Sequence, residues 1–405
     1  MKLHVLASVA TLLLGALASA QQGAIPGFDP ANLDRSVSPC DNFYRFSCGG
    51  WIDHNPIPSD QSRWGRFDDL RERNLAAMHE ILEDAAKKSN PDPLERKLGA
   101  YYSACMDESD IASRGLAPLE AQLAPVRALA AKKDLATLTA KLHSAGVGAF
   151  FHFGSMEDPA DTAKMLADLD QGGLGLPDRD YYLSDNERFT KIRAQYLVHI
   201  ERMLTLAGYP AEAAAKNAAT VMRLETILAQ ESMDRVSRRN PNNVVNPTTR
   251  EQLDDMMLVF DWDAYFAALH TPQFESLNVS TPDFFRGLNS ALAWQPLEDW
   301  KVYLAWHVIH AAAPLLPDAF VDENFSFYGK TLTGAQELSP RWKRCVRYVD
   351  ADLGEALGQK YVEKHFPPAA KQRMEQLVHA VESALERDIR QLDWMTDDTK
   401  KKALR

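Results

Sequence analysis

Residues 40–74 read CDNFYRFSCGGWIDHNPIPSDQSRWGRFDDLRERN, and this stretch decides how the rest of the chain is understood. Cys40 and Cys48 are separated by seven residues, and the second opens the run Cys48-Gly49-Gly50-Trp51. Asn55-Pro56-Ile57-Pro58 then imposes a rigid bend, because each proline fixes its own φ and restricts the residue before it. Beyond the bend, Phe67, Leu70, Asn74, Met78, Ile81, Leu82 and Ala85 recur at helical spacing with one polar exception. Arg71, Glu72, Arg73 and Glu80 occupy much of the opposite face. The physical reading is a segment tied by cysteines that leads through a stiff turn into a long amphipathic helix. Within it, Arg63-Trp64-Gly65-Arg66-Phe67-Asp68 joins planar cations to aromatic surface. A guanidinium fork suits a peptide carbonyl or carboxylate, and a neighbouring ring offers an apolar wall. On composition alone the same run reads better as a solvated helix start with Phe67 in the core.

Upstream, MKLHVLASVATLLLGALASA carries Lys2, an apolar run from Val5 to Leu17 and Ala18-Ser19-Ala20. That pattern predicts a secretory signal over residues 1–20, too short in its apolar part to be a comfortable membrane span. Residues 21–39 are polar and turn-rich and read as a flexible arm. No other apolar run approaches membrane length, so the expected product is exported, to a periplasmic or extracellular space. Without the signal, 44 basic residues face 56 acidic ones, a net charge near −12. Such a chain repels phosphate backbones, which excludes nucleic-acid binding as its main task. At 45% hydrophobic and 25% charged residues the composition is that of a folded globular protein.

Four cysteines in an exported chain suggest disulfides, with three pairings open. A Cys105–Cys345 bridge would close a loop of about 240 residues, worth on the order of 5 kcal/mol by loop-closure entropy. Spacing alone does not choose among the pairings.

Helix dominates the remaining pattern. Asn90-Pro91-Asp92-Pro93 ends the first long helix and starts a second carrying Leu94, Leu98, Tyr101, Tyr102 and Cys105. Helical segments follow near 118–131 and 134–144, with Asp134 as a candidate N-cap and Gly146 as a stop. Residues 147–153 and 163–169 read as a small β-hairpin with a long acidic loop. The glycines of Gln171-Gly172-Gly173-Leu174-Gly175 have neither Walker lysine nor dinucleotide register, so they predict a tight irregular connection. Long helices are expected at 186–208, 211–232, 296–315, 341–365 and 368–392, with shorter ones near 250–258 and 261–269 and a β-like patch at 277–279. Thr396 or Asp397 would cap a final helical start that reaches Arg405 without a stop signal.

A search for catalytic groups is negative in most directions. H-E-x-x-H, which puts two imidazoles on one helix face beside a water-activating glutamate, is absent. Its nearest approach, His79-Glu80-Ile81-Leu82-Glu83, has glutamate at the second histidine's place and reads as a solvated pair. His307 and His310 share a face, but two ligands leave a site incomplete. There is no G-x-S-x-G elbow, and the sequons at Asn278 and Asn324 matter only in a glycosylating host.

The ordered motifs nevertheless closely resemble the neprilysin family of zinc metallopeptidases. The N-terminal signature is carried by Cys40-Asp41-Asn42-Phe43-Tyr44, Cys48-Gly49-Gly50-Trp51, Asn55-Pro56-Ile57-Pro58 and Ser62 to Asp68. The stretches Tyr101 to Asp107, Gly172 to Tyr182, Phe260-Asp261-Trp262, Leu297 to Ala312, and Arg341-Trp342 with Cys345 are similar to the same family's non-catalytic half. The resemblance spans essentially all of residues 40–405. It implies a mainly α fold: the helical lobe of a two-lobed metallopeptidase, with small β-hairpin elements, enclosing a cavity for small peptides. By the same resemblance Arg63 and Asp68 contact substrate beyond the scissile bond, and Phe67 lines the adjacent pocket. Cys105 pairs with Cys345, whereas the family partners of Cys40 and Cys48 lie in the catalytic half, leaving these two unpaired or locally paired. The family's zinc ligands also lie beyond the position matching Arg405, so the catalytic lobe is expected to be incomplete. These residues are then expected to hold no zinc and to supply no catalytic residue, although the complete family member is a zinc enzyme. The resemblance therefore implies the N-terminal part of an exported metallo-endopeptidase, inactive by itself. The alternative is a secreted helical module that binds peptides or a partner without catalysis.

Overall fold

A computed structural model describes residues 29–405; the predicted signal at 1–20 and the first part of the arm lie outside the described residues. The chain forms two compact units, one ending at Pro58 and one spanning Ser59–Arg405. In the first, a 3-10 turn at Pro30–Asn32 accompanies the helix Phe43–His54, whose N-terminus is capped by the Asn42 side chain accepting from the Arg45 amide at 2.9 Å. Asp34 accepts from Arg45 Nε at 2.9 Å, and its own amide donates to the Phe46 carbonyl at 2.8 Å. The paired glycines allow this contact, since a Cβ on Gly50 would collide with the Ala31 carbonyl oxygen. Cys40 and Cys48 are both free thiols, the first exposed and the second partly buried.

The second unit has two hydrophobic cores. In the smaller one, helices Arg66–Lys87, Pro93–Met106 and Arg341–His365 bury Leu75, Ile81, Leu82, Leu98, Tyr102, Val346, Val349 and Leu357. Gly99 permits the close crossing of the first two, because a Cβ there would stand 2.8 Å from the Ala85 backbone. The disulfide Cys105–Cys345 ties the second helix to the third across a sequence separation of 240 residues. The start of the first helix departs from the expected apolar face. Leu75, not Asn74, begins the buried stripe, while Phe67 (84% exposed) and Leu70 stand in solvent. On this first turn and a half the apolar side chains point outward, while Asp68 faces inward.

The larger core collects Trp262, Trp300, Trp306, Tyr196, Tyr303, Phe284 and Phe285 among helices Glu187–Leu206, Ala211–Glu231, Trp262–Ala268, Pro282–Trp294 and Leu297–Ala312. A four-stranded sheet flanks it: β1 Phe151–Asp158, β2 Asp161–Gln171, β3 Pro247–Thr249 and β4 Ser276–Val279, in the order β1-β2-β4-β3. β1 and β2 pair antiparallel, β2 and β4 parallel, and β3 and β4 antiparallel. The hairpin is longer than its apolar runs suggest. Pairing continues from Phe151↔Gln171 to Glu157↔Met165 and, past a bulge, to Asp158↔Asp161, leaving only Pro159 and Ala160 between the strands. The acidic residues belong to the ladder because that end of the hairpin faces solvent, where polar side chains cost nothing. Asp134 takes the expected N-cap position of helix Leu135–Ser144, at the end of a 3-10 turn, but its side chain makes no capping bond. Helices at Glu108–Arg114, Pro282–Trp294 and Asp318–Asn324, and a π-helix at Phe325–Thr333, add to those the sequence pattern predicts.

The glycine-rich connection owes its composition to the core. Gly173 has φ +74°, and a Cβ on it would collide with the Tyr303 hydroxyl, which donates to the Gly173 carbonyl at 2.8 Å. Tyr328 donates to the Gly175 carbonyl at 2.9 Å, and the Leu176 amide donates to the Tyr182 hydroxyl at 2.8 Å. Behind it lies Glu225, fully buried, accepting from Tyr182 at 2.7 Å and Tyr196 at 3.0 Å, with His307 Nε2 3.2 Å away.

Candidate functional site

Arg63, Phe67 and Asp68 lie where an irregular segment enters helix Arg66–Lys87. Gly65 is the N-cap and provides no side-chain cap, but its carbonyl accepts from the amides of Asp68 and Asp69 at 3.0 Å each. Carboxylates at these first-turn positions also favour the positive end of the helix. Asp68 is only 8% exposed and accepts from Arg71 Nη1 at 3.0 Å. Asp69 accepts from Arg73 at 3.1 Å. By contrast Arg63 is exposed and engages no other group among the described residues, and Phe67 projects freely. The three residues therefore divide: two open tips and one buried carboxylate that holds Arg71.

The segment carrying these tips is pinned from the far end of the chain. Ser59 accepts through its carbonyl from the amides of Gln336 and Glu337 at 2.9 and 3.0 Å. Lys343 Nζ reaches Asp60 at 3.0 Å and Glu72 at 2.7 Å, and Gln61 donates to Glu72 at 3.2 Å. Burial alone would lower the Lys343 ammonium, but its bonds to Glu72 and Asp60 outweigh burial and the net shift is upward. The result is a fixed backbone with free side-chain ends, which is what a binding wall requires. Composition gives no hint of Lys343 as the anchor, since it lies about 280 residues from its partners.

No group of three or more histidine, cysteine or carboxylate side chains among the described residues is arranged to hold a metal ion. His79 stacks on Trp342 with ring centroids 4.5 Å apart, and its Nε2 lies 3.6 Å from Glu83. His307 faces Glu225, while burial pushes His310 down to about 3 and keeps it neutral. The donor sets among the described residues therefore do not fit a catalytic zinc ion. The Asn278 sequon is also spoken for: its amide nitrogen donates to Asp168 at 2.7 Å and to the Val244 carbonyl at 2.9 Å, inside the protein.

The fold superposes on the Mycobacterium tuberculosis zinc metalloprotease Zmp1 in complex with an inhibitor, with a TM-score of 0.86 and 34% identity, covering 93% of this chain and 57% of that one. It shares its fold with PepO from Lactobacillus rhamnosis at a TM-score of 0.79 and 18% identity, covering 91% of this chain and 58% of that one. The family model described as Peptidase family M13 matches residues 39–405, and the chain belongs to that family. Endothelin-converting enzyme 1 of Mus musculus is 27% identical over 387 residues, which are 92% of this chain and 49% of the relative. Neprilysin-3 of Drosophila melanogaster is 27% identical over 394 residues, 92% of this chain and 50% of the relative. The chain thus spans about half the length of the curated relatives it matches.

Proposed function

We propose that this chain supplies the helical, substrate-contacting lobe of an exported zinc metallo-endopeptidase acting on small peptides, and that the zinc is held by a catalytic part outside these residues. The observation that carries the reading is the pair of exposed tips, Arg63 and Phe67, which engage no partner among the described residues, on a segment pinned by Lys343. Arg63 would grip a peptide carbonyl or carboxylate, Phe67 would wall the neighbouring side chain, and Asp68 would act by holding Arg71 in place. Membership of peptidase family M13 and the half-length coverage of the relatives support a division of labour between two parts.

A second feature favours this reading over a free-standing binding module. Helix Pro368–Gln391 buries only Ile389, and Met374, Leu377, Val378, Val381 and Leu385 form a stripe left 48–60% exposed. That spacing follows one helical face, and an apolar stripe of this length is a surface made to be covered. Among the described residues no helix is by itself long and apolar enough to cross a membrane.

The test is hydrolysis of a fluorogenic small peptide by the purified chain, alone and joined to a family catalytic half bearing H-E-x-x-H. The chain alone should be inactive and the joined protein active. In the joined protein Arg63→Ala and Phe67→Ala should raise KM. Chelator-sensitive cleavage by the chain alone would sink the proposal, as would unchanged kinetics in both variants.

A further inference from the structure

Beside the glycine-rich connection lies a cavity of about 430 Å³, within the range of small-ligand sites, that the peptide-contacting residues do not reach. Arg179, Arg235 and Arg238 line it. Two of these cations are already matched. Arg238 donates twice to Asp170, at 2.8 and 2.5 Å, and Arg235 Nη1 stands 3.2 Å from Asp178. Arg179 is different: its side chain makes no hydrogen bond or ion pair among the described residues, and its Nε is sealed from solvent without an acceptor.

The nearest spare carboxylate does not fill this gap. Asp234 faces Arg179 electrostatically, but its oxygens accept from the Ser237 hydroxyl at 2.6 Å and from the Ser237 and Val236 amides at 2.9 Å each. Those bonds, led by the Ser237 hydroxyl, hold its carboxyl below the usual range and fix it as a capping group. An arginine that lines a cavity, whose donors meet no acceptor among the described residues, has room for a planar anion on its solvent-open nitrogens. Carboxylate suits it best, because its two oxygens match the guanidinium fork, and Arg238 nearby already shows that pairing.

We propose that this cavity is a carboxylate-binding site, with Arg179 as the ligand-gripping residue and the Arg238–Asp170 and Arg235–Asp178 pairs as its fixed walls. The ligand carries a free carboxylate, from a peptide C-terminus or from a small organic acid. The site requires neither zinc nor hydrolysis, so it stands or falls apart from the peptidase reading.

Isothermal titration calorimetry of the 405-residue chain tests it with four probes: N-acetyl-Ala-Ala, its C-terminal amide, acetate and inorganic phosphate. N-acetyl-Ala-Ala should bind saturably, and its amide at least tenfold more weakly. Acetate binding as tightly as the dipeptide would assign the site to small acids, and weaker acetate binding would assign it to peptide termini; either supports the carboxylate site. Arg179→Gln should lose at least tenfold for the carboxylate probe and Arg179→Lys should fall between, with the melting curve of each variant checking the fold. Equal binding of acid and amide, tighter phosphate binding, absence of saturable binding, or an unaffected Arg179→Gln variant would overturn the proposal.

Discussion

Replacing both cysteines of the Cys105–Cys345 bridge by alanine should cost the second unit on the order of 5 kcal/mol. The bond closes a loop of 240 residues. In the chain-entropy account that restricts the unfolded ensemble by about 18 cal/mol/K, or ~5 kcal/mol at 25 °C. Cys345 is fully buried in the smaller core, so lost sulfur packing adds up to ~1 kcal/mol. The gain lies in the unfolded state, which leads to a second signature. The variant's unfolded chain expands further, so the urea dependence of its unfolding free energy should steepen. Equilibrium urea unfolding followed by circular dichroism reads both quantities. Reduction of the wild-type protein supplies a control that keeps the sulfur atoms in place, and Cys40 and Cys48 are already thiols, so reductant changes only this bond. A variant within ~1 kcal/mol of the oxidised wild type would refute the loop-closure argument. So would reduction that leaves the midpoint where it was.

Arg63→Ala and Phe67→Ala should leave the stability of the isolated chain within ~0.5 kcal/mol of wild type, because neither side chain is packed; a larger loss in urea titration would show they are structural. Glu225→Ala should cost about 3–5 kcal/mol by stranding Tyr182, Tyr196 and His307 around an empty site, and Glu225→Gln should cost clearly less; equal losses would mean that packing rather than hydrogen bonding dominates there. His310 is held neutral down to about 3, beside His307 and His199, whereas an unfolded histidine titrates near 6.5. Between those values the unfolded chain binds the extra proton, so stability should fall as pH drops below about 6.5, by up to ~1.4 kcal/mol per pH unit from this group. Urea midpoints at pH 7, 6 and 5 check this, and His310→Gln should flatten the slope; an unchanged slope would remove His310 as its source.

Much of the architecture is written in local pattern. The capping box of Asp92 and Glu95 and the breaks at Gly208-Tyr209-Pro210 fall where propensity and capping put them. Pro282–Trp294 is equally legible in hindsight: Thr281 and Pro282 precede Phe284, Phe285, Leu288, Ala291 and Leu292 on one face. The hairpin's extent is not legible, because its outer end lies toward solvent, where no buried apolar face is needed to mark the strands. Nor can periodicity show that Phe67 is exposed. It matches the helical stripe, and only the absence of a packing partner at that turn, a tertiary fact, turns it outward. The Arg179 cavity is hidden for the same reason. Its walls come from residues 148–179 and 232–238, and no motif links them.

The two surfaces that carry the functional reading obey one energetic logic. Ordinary folding buries what the sequence marks as apolar, yet Phe67 and the stripe from Met374 to Leu385 satisfy helical periodicity and remain outside both cores. Each half-exposed side chain of the stripe leaves about 1 kcal/mol of burial unclaimed, or ~5 kcal/mol for the five. That is comparable to the stability of a small domain, too much to be a passive residue of composition. The stripe runs along a single helix whose other face is polar, as suits the docking of a whole structural layer. Phe67 instead projects from a backbone locked by Lys343, four residues along the chain from Arg63, whose side chain engages no other group among the described residues, as suits a ligand that comes and goes. A broad apolar face suited to a permanent neighbour and a small mixed tip suited to a transient one are the two surfaces on which the proposed division of labour rests.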